Sequence, residues 1–323
     1  MTRPDRRPRR CDDAGMSEPA LPGDHAERME RASLALDGLS VGDAFGERFF
    51  GAPDTAEARI AARAVPAAPW PYTDDTEMAL GVMEVLRSHG RIDQGRLAAV
   101  FARRYGARPD RGYGGTAHQI LRDIGEGAPW RAVSSAVFSG MGSMGNGGAM
   151  RAAPVGAYWA DDRATLIREA RASAEVTHAH PDGQAGAVAV ALAAAWAWEH
   201  RAQLPGDARR ELLGLVVEHT PDGETRTGLA KALALPEHAS VTLAVSALGN
   251  GHKVIASDTV PFALWCAARH LGDFVEAMWT TVSGLGDRDT TCAIAGGVVA
   301  LAAGHASIPE AWLQSRESLQ LAG

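Results

Sequence analysis

Gly284-Leu285-Gly286-Asp287-Arg288-Asp289-Thr290-Thr291 is the stretch on which the reading of this chain turns. It runs into residues 292–303, built almost wholly from small and apolar side chains: Ala293, Ile294, Ala295, Gly296, Gly297, Val298, Val299, Ala300 and Leu301. A helix apolar on every face belongs in a protein interior. Its glycines lower helix propensity, which makes sense where other helices pass very close. Two carboxylates and two hydroxyls then stand at the mouth of a buried helix. One Asp there reads as an N-cap. Two at i,i+2 with an adjoining Thr suit a hard cation, because ionised acids buried together without one are costly.

A second such cluster is Tyr72-Thr73-Asp74-Asp75-Thr76-Glu77-Met78, again just before an amphipathic helix. Taken alone, Asp74 or Asp75 is a capping residue in a position that the helix dipole favours. Together, the two clusters offer four Asp and two Thr as an all-oxygen cage for two divalent ions, Mg²⁺ or Mn²⁺. Neither contains Cys or His, which disfavours zinc.

Around these clusters the pattern is helical from residue 26 onward. Helices are expected at 26–45, 76–89, 94–105, 116–124, 164–175, 183–200, 208–219, 224–234, 240–248, 259–270, 273–282 and 291–303. In the second, Ala79, Val82, Met83 and Leu86 recur at helical spacing. Alternating β-branched runs are nearly absent, and no linker or fixed-period repeat divides the chain. The expectation is an all-α bundle, a single domain over 26–323, preceded by a disordered basic tail over 1–25 whose start could lie at Met16. Of 323 residues 46% are apolar, enough for a sizeable core, and the net charge of −7 gives no reason to expect nucleic acid as a partner. Three cysteines without paired spacing argue for a reducing compartment. With no apolar segment long enough for a bilayer, a soluble, cytoplasmic monomer is expected.

Between the acid clusters lies Phe138-Ser139-Gly140-Met141-Gly142-Ser143-Met144-Gly145-Asn146-Gly147-Gly148-Ala149-Met150-Arg151, whose glycines and bare N–H groups suit a phosphate nest. It lacks the ending of a nucleotide triphosphatase loop. In Val176-Thr177-His178-Ala179-His180-Pro181-Asp182, His178 is read as a substrate contact and His180 as structural, with Pro181 opening the next helix.

The segments Gly42-Asp43-Ala44-Phe45-Gly46, Thr73-Asp74-Asp75-Thr76, Gly145-Asn146-Gly147-Gly148-Ala149-Met150-Arg151, Thr177-His178 and Gly286-Asp287-Arg288-Asp289-Thr290 occur in that order. Together they resemble the ADP-ribosylglycohydrolase family, over about residues 26–303. The resemblance implies an orthogonal all-α bundle, a binuclear Mg²⁺ or Mn²⁺ centre and hydrolysis of the bond between ADP-ribose and an acceptor, protein or small molecule. By motif, Thr73, Asp74, Asp75, Asp287, Asp289 and Thr290 would hold the metals. Gly142, Ser143, Met144, Gly145 and Asn146 would line the diphosphate and adenosine side, Arg151 would help neutralise diphosphate, and His178 would meet the distal ribose. Asp75, Asp289 or Glu47 would take the proton. The chain departs from the family at Arg288, often apolar or Thr, at Met144, aromatic in some relatives, and at Phe50, often Glu.

Two other readings use the same residues. Asp287-Arg288-Asp289-Thr290-Thr291 also fits the Asp-x-Asp-x-Thr pattern of a phosphatase, which requires a preceding buried strand. A non-catalytic ADP-ribose-binding or crystallin-like protein would be marked by lost metal ligands, and all six are present.

Overall fold

The computed structural model describes residues 21–320. Sixteen α-helices follow one another: α1 (His25–Glu47), α2 (Pro53–Ala61), α3 (Asp74–His89), α4 (Gln94–Ala107), α5 (Gly115–Gly125) and α6 (Trp130–Gly140). The middle set is α7 (Ala153–Tyr158), α8 (Arg163–Glu175), α9 (Pro181–Glu199), α10 (Ala208–His219) and α11 (Glu224–Ala234). The last set is α12 (Val241–Leu248), α13 (Ala256–Arg269), α14 (Phe274–Val282), α15 (Arg288–Ala303) and α16 (Glu310–Ser315). Among the described residues the only β pairings are two isolated bridges, Trp70 with Arg316 and Gly145 with Ile255. The fold is all-α, as expected. The phosphatase reading fails here, because the element before Asp287 is helix α14 and not a strand.

The twelve expected helices are present, and α2, α6, α7 and α16 are added to them. Of these, α7 and α16 are six residues long, too short to show a period. In α6 the helical path is broken at Val137, Phe138 and Ser139, the last two with φ of 51° and 59°. The tail expected over 1–25 lies outside the described residues up to residue 20, and His25 already belongs to α1.

At the centre α1 and α15 run antiparallel with their backbones almost touching. A Cβ added to Gly38 would stand 2.3 Å from the Gly296 carbonyl oxygen, one on Gly42 2.2 Å from that of Cys292, and one on Gly46 2.2 Å from that of Arg288. The i,i+4 spacing of these glycines makes one flat stripe along α1, and no larger residue fits there. This is the close passage that the small residues of 292–303 predict. Its consequence is positional: the C-terminal end of α1, with Asp43 and Glu47, meets the N-terminal end of α15. Beneath that junction Phe45, Phe49, Trp70, Trp279 and Trp312 pack edge-on and stacked, with Phe45 and Trp312 rings 4.7 Å apart. Large aromatic area buried there anchors the C-terminal end of α1 against α14 and α16.

The alanine-rich α9 is buried along nearly its whole length, as its composition requires. No helix among the described residues is long and apolar enough to cross a membrane.

Candidate active site

Asp43 sits on α1 with no solvent exposure. Its carboxylate accepts from Thr73 N (3.0 Å) and Thr73 Oγ1 (2.9 Å), and from Thr76 N (3.1 Å) and Thr76 Oγ1 (2.5 Å). Four donors on one acid fix the first turn of α3 against α1. The N-cap of α3 is Thr73, whose Oγ1 accepts from Asp75 N. Neither Asp74 nor Asp75 is therefore needed as a cap, and both are left for other work. Asp287 holds the N-cap position of α15, yet its side chain makes no capping bond; its Oδ2 accepts from Asn146 Nδ2 at 2.6 Å.

The two acid clusters meet. Thr290 Oγ1 donates to Asp75 Oδ2 (3.3 Å), and Thr73 Oγ1 reaches the same oxygen (3.2 Å). Among the described residues Asp75 Oδ1 and Asp289 Oδ1 are buried with no hydrogen-bond partner. Burial, then repulsion from Asp289, Asp43, Asp74 and Asp287, pushes Asp75 well up from the carboxylate range. Burial followed by Asp287 and Asp43 does the same to Asp289. Asp43 is raised to about 6 by burial against its hydrogen bonds, and Asp74 to about 7 by burial and Asp43. Glu47, half-buried at the end of α1, is raised by burial and by Asp43 and Asp287.

Such a set of mutually repelling acids with orphaned oxygens is what a hard cation neutralises. Among the described residues no three His, Cys, Asp or Glu groups close into a ready-made metal cage. The donor chemistry of Thr73, Asp74, Asp75, Asp287, Asp289 and Thr290, all oxygen, nevertheless fits Mg²⁺ or Mn²⁺. Two buried oxygens, on Asp75 and Asp289, have no partner among the described residues, and such an ion would give them one.

Behind Asp287 the chain turns through left-handed Leu285 (φ 57°) and Gly286 (φ 67°). Asn250 holds this turn: its carbonyl accepts from Asp287 N (3.1 Å) and its Nδ2 donates to Gly284 O (2.9 Å). A Cβ on Gly286 would meet Asn250 O at 2.4 Å. The aim of Asp287 thus depends on a loop that sequence reasoning passed over, although Gly249-Asn250-Gly251 marks it. Asp43 was likewise given no role; the signal was a lone acid inside the apolar run Leu39 to Phe45.

The glycine loop lies beside the acids. Its backbone pairs with 254–256, Asn146 N donating to Val254 O (3.3 Å) and Ala256 N to Met144 O (2.9 Å). Gly142, at φ 76°, has no room for a side chain, with His180 N only 2.7 Å from an added Cβ. Ser143 Oγ accepts from Gly145 N at 3.1 Å, and Met144 is half-buried. Asn146 spends its Nδ2 on Asp287 and Thr259, so it braces an acid rather than offering that amide outward.

Arg151 differs most from expectation. It has no solvent exposure and lies under the loop, donating to Gly147 O (2.7 Å), Ser173 O (2.8 Å) and Thr177 Oγ1 (2.9 Å), with Phe101 4.6 Å from its guanidinium. Arg151 was expected to help neutralise diphosphate; a guanidinium that spends its hydrogen bonds inside the protein acts as a strut, and any such help comes from its charge through the loop and not from contact. His178 packs against the underside of Gly145 and Gly147. His180 caps α9, its Nδ1 accepting from Asp182 N at 3.1 Å. Arg288 pairs with neither flanking acid and lies 5.0 Å from the ring of Phe50, so two departures from the family pattern rest on each other.

A family model described as ADP-ribosylglycohydrolase matches residues 24–322. The chain is 31% identical to human ADP-ribosylhydrolase ARH3, with 91% of each chain covered. It is 28% identical to the ADP-ribosyl-[dinitrogen reductase] glycohydrolase of Rhodospirillum rubrum, covering 88% of this chain and 89% of that one. Among solved structures, an ADP-ribosylglycohydrolase-related protein complex shares the fold at a TM-score of 0.61 and 23% identity, over 90% of this chain and 94% of that one. With its acids gathered at one helix junction and residues 24–322 matched, the chain belongs to the ADP-ribosylglycohydrolase family of hydrolases.

Proposed function

We propose that this protein hydrolyses the glycosidic bond between the distal ribose of ADP-ribose and an acceptor on a modified protein or small molecule, with two Mg²⁺ or Mn²⁺ ions. The observation that supports it best is the burial of Asp75 and Asp289, from opposite halves of the chain, with an unpartnered oxygen on each. Thr73, Asp74, Asp75, Asp287, Asp289 and Thr290 would hold the ions. When bound, the ions supply positive charge and Lewis acidity where the distal ribose and a water meet. The chain's own part is to orient and to move a proton. Asp43 fixes Thr73 and Thr76, Asn146 and Asn250 fix Asp287, and the glycine loop seats the ADP half through backbone N–H groups. Water oxygen bonds to the anomeric carbon as the acceptor departs with the bond's electron pair, through an oxocarbenium-like state. One water proton passes to a carboxylate of this set, Asp75, Asp289 or Glu47. That carboxyl group hands the proton on to the departing acceptor, which leaves protonated and returns the acid to its ionised form.

The test is release of ADP-ribose from substrates linked through arginine, serine or an O-acyl ester, with Mg²⁺, with Mn²⁺ and with chelator. Turnover that needs a divalent ion and drops at least about 100-fold in Asp289→Ala and Asp74→Ala is expected. Retention of ADP-ribose without turnover on any linkage would favour the non-catalytic reading instead.

A further inference from the structure

Arg151, Thr177 and His178 form a chain of hydrogen bonds that ends under the glycine loop. Arg151 Nη2 donates to Thr177 Oγ1 at 2.9 Å, and Thr177 Oγ1 stands 2.7 Å from His178 Nδ1. A guanidinium carries donors only, so the Thr177 oxygen is an acceptor in the first bond. Its own proton has one partner among the described residues, His178 Nδ1. Thr177 is 1% exposed, and leaving a buried hydroxyl proton unpaired costs about 1–3 kcal/mol. The hydroxyl therefore donates to Nδ1, and Nδ1 carries no proton. Burial and the Arg151 charge push the imidazolium down to about 3, which leaves the ring neutral. In a neutral imidazole with a bare Nδ1, the proton is on Nε2.

That Nε2 points at the loop. Methyl groups built on Gly145 and Gly147 would lie 3.0 and 3.2 Å from it. It has no hydrogen-bond partner among the described residues, while His178 keeps 9% of its surface open. A donor with no internal acceptor, framed by two residues that lack side chains, is available to a ligand on the loop.

We infer that Arg151 and Thr177 are positioning residues that lock His178 as the neutral Nε2–H tautomer, so that it donates to a phosphate or ribose oxygen of a nucleotide sugar seated on the glycine loop. This rests on the functional reading above for the ligand, but not for the tautomer. It also accounts for Arg151, whose buried charge has no carboxylate in hydrogen-bond range. Its placement beside Gly147 O, Ser173 O and Thr177 ties loop, α8 and histidine into one unit.

The experiment is ¹⁵N NMR of the histidine side chains in the full, ligand-free chain, with His178 assigned among the 11 histidines by its loss in His178→Asn. Wild type and Thr177→Ser are expected to show Nε2–H alone, and Thr177→Val a mixture with Nδ1–H. Calorimetry with ADP-ribose is expected to show binding about tenfold weaker in Thr177→Val and restored to within about threefold in Thr177→Ser. A wild-type Nδ1–H signal, or Thr177→Val unchanged in both tautomer and affinity, would overturn the inference. If wild type fails to bind ADP-ribose, the functional reading falls, and the tautomer measured without ligand still decides this one. Should Thr177→Val not fold, the wild-type tautomer and its retention in Thr177→Ser carry the decision.

Discussion

Thr290 Oγ1 donates to Asp75 Oδ2 over 3.3 Å across 215 residues of sequence. This bond joins the first turn of α15 to the first turn of α3, and among the described residues Arg288 and Arg151 act on the surrounding acids only from beyond ion-pair distance. Charge that is costly in the free protein and useful with an ion bound leads to opposite effects on stability and activity.

Asp75→Asn and Asp289→Asn should each raise the melting temperature of the protein in chelator, by relieving repulsion at buried carboxylates. ADP-ribose release in Mg²⁺ should fall at least about 100-fold in the same variants. Calorimetric melting beside the release assay reads both. Lower stability of both variants in chelator would mean that the acids are not strained as they stand.

The pH dependence has a definite sign. Asp43 and Asp74 bind protons more tightly folded, up to about 6 and about 7, than at their ordinary value of 3.8. Between those limits the unfolded chain gives up its protons first, so rising pH favours unfolding. In chelator the melting temperature should therefore fall as pH rises from about 4 to about 7. Saturating Mg²⁺ or Mn²⁺ should flatten that slope.

Asp43→Asn is not a quiet change. Both carboxylate oxygens accept, and an amide NH₂ on either side faces a Thr donor. A loss of about 2–4 kcal/mol is expected from urea unfolding, with activity lost as Thr73 and Asp75 shift. Unchanged urea midpoints would show that the four bonds contribute little.

Gly42→Ala should destabilise by at least about 1–3 kcal/mol, because its Cβ has no room beside the Cys292 carbonyl at 2.2 Å. Gly115→Ala, with nothing within 4 Å, is the control and should be neutral or slightly stabilising. Gly145→Ala belongs to a different class, since its Cβ meets the His178 ring at 3.0 Å. There ADP-ribose binding should weaken while the urea midpoint moves little.

A close helix passage was legible because small residues leave a mark in the sequence itself, as Gly296 and Gly297 do; that the partner is α1, running antiparallel through Gly38, Gly42 and Gly46, came only from the structure. Thr73-Asp74-Asp75 and Asp287-Arg288-Asp289-Thr290 were legible for a similar reason, as local runs with local chemistry. Sequence could not show that Thr73 is the cap of α3, which frees both following acids. Nor could it tell an Asp43 that organises the site from an Asp that merely interrupts an apolar run.

What the chain determined by itself is periodicity: which segments coil, which faces are apolar, where backbones can touch. What only the tertiary structure decided is the partner of each polar group. Arg151 turns inward to Gly147, Ser173 and Thr177, and Asn146 turns to Asp287. Their partners come from different elements, and a buried donor takes whichever acceptor the packing of those elements brings within about 3 Å.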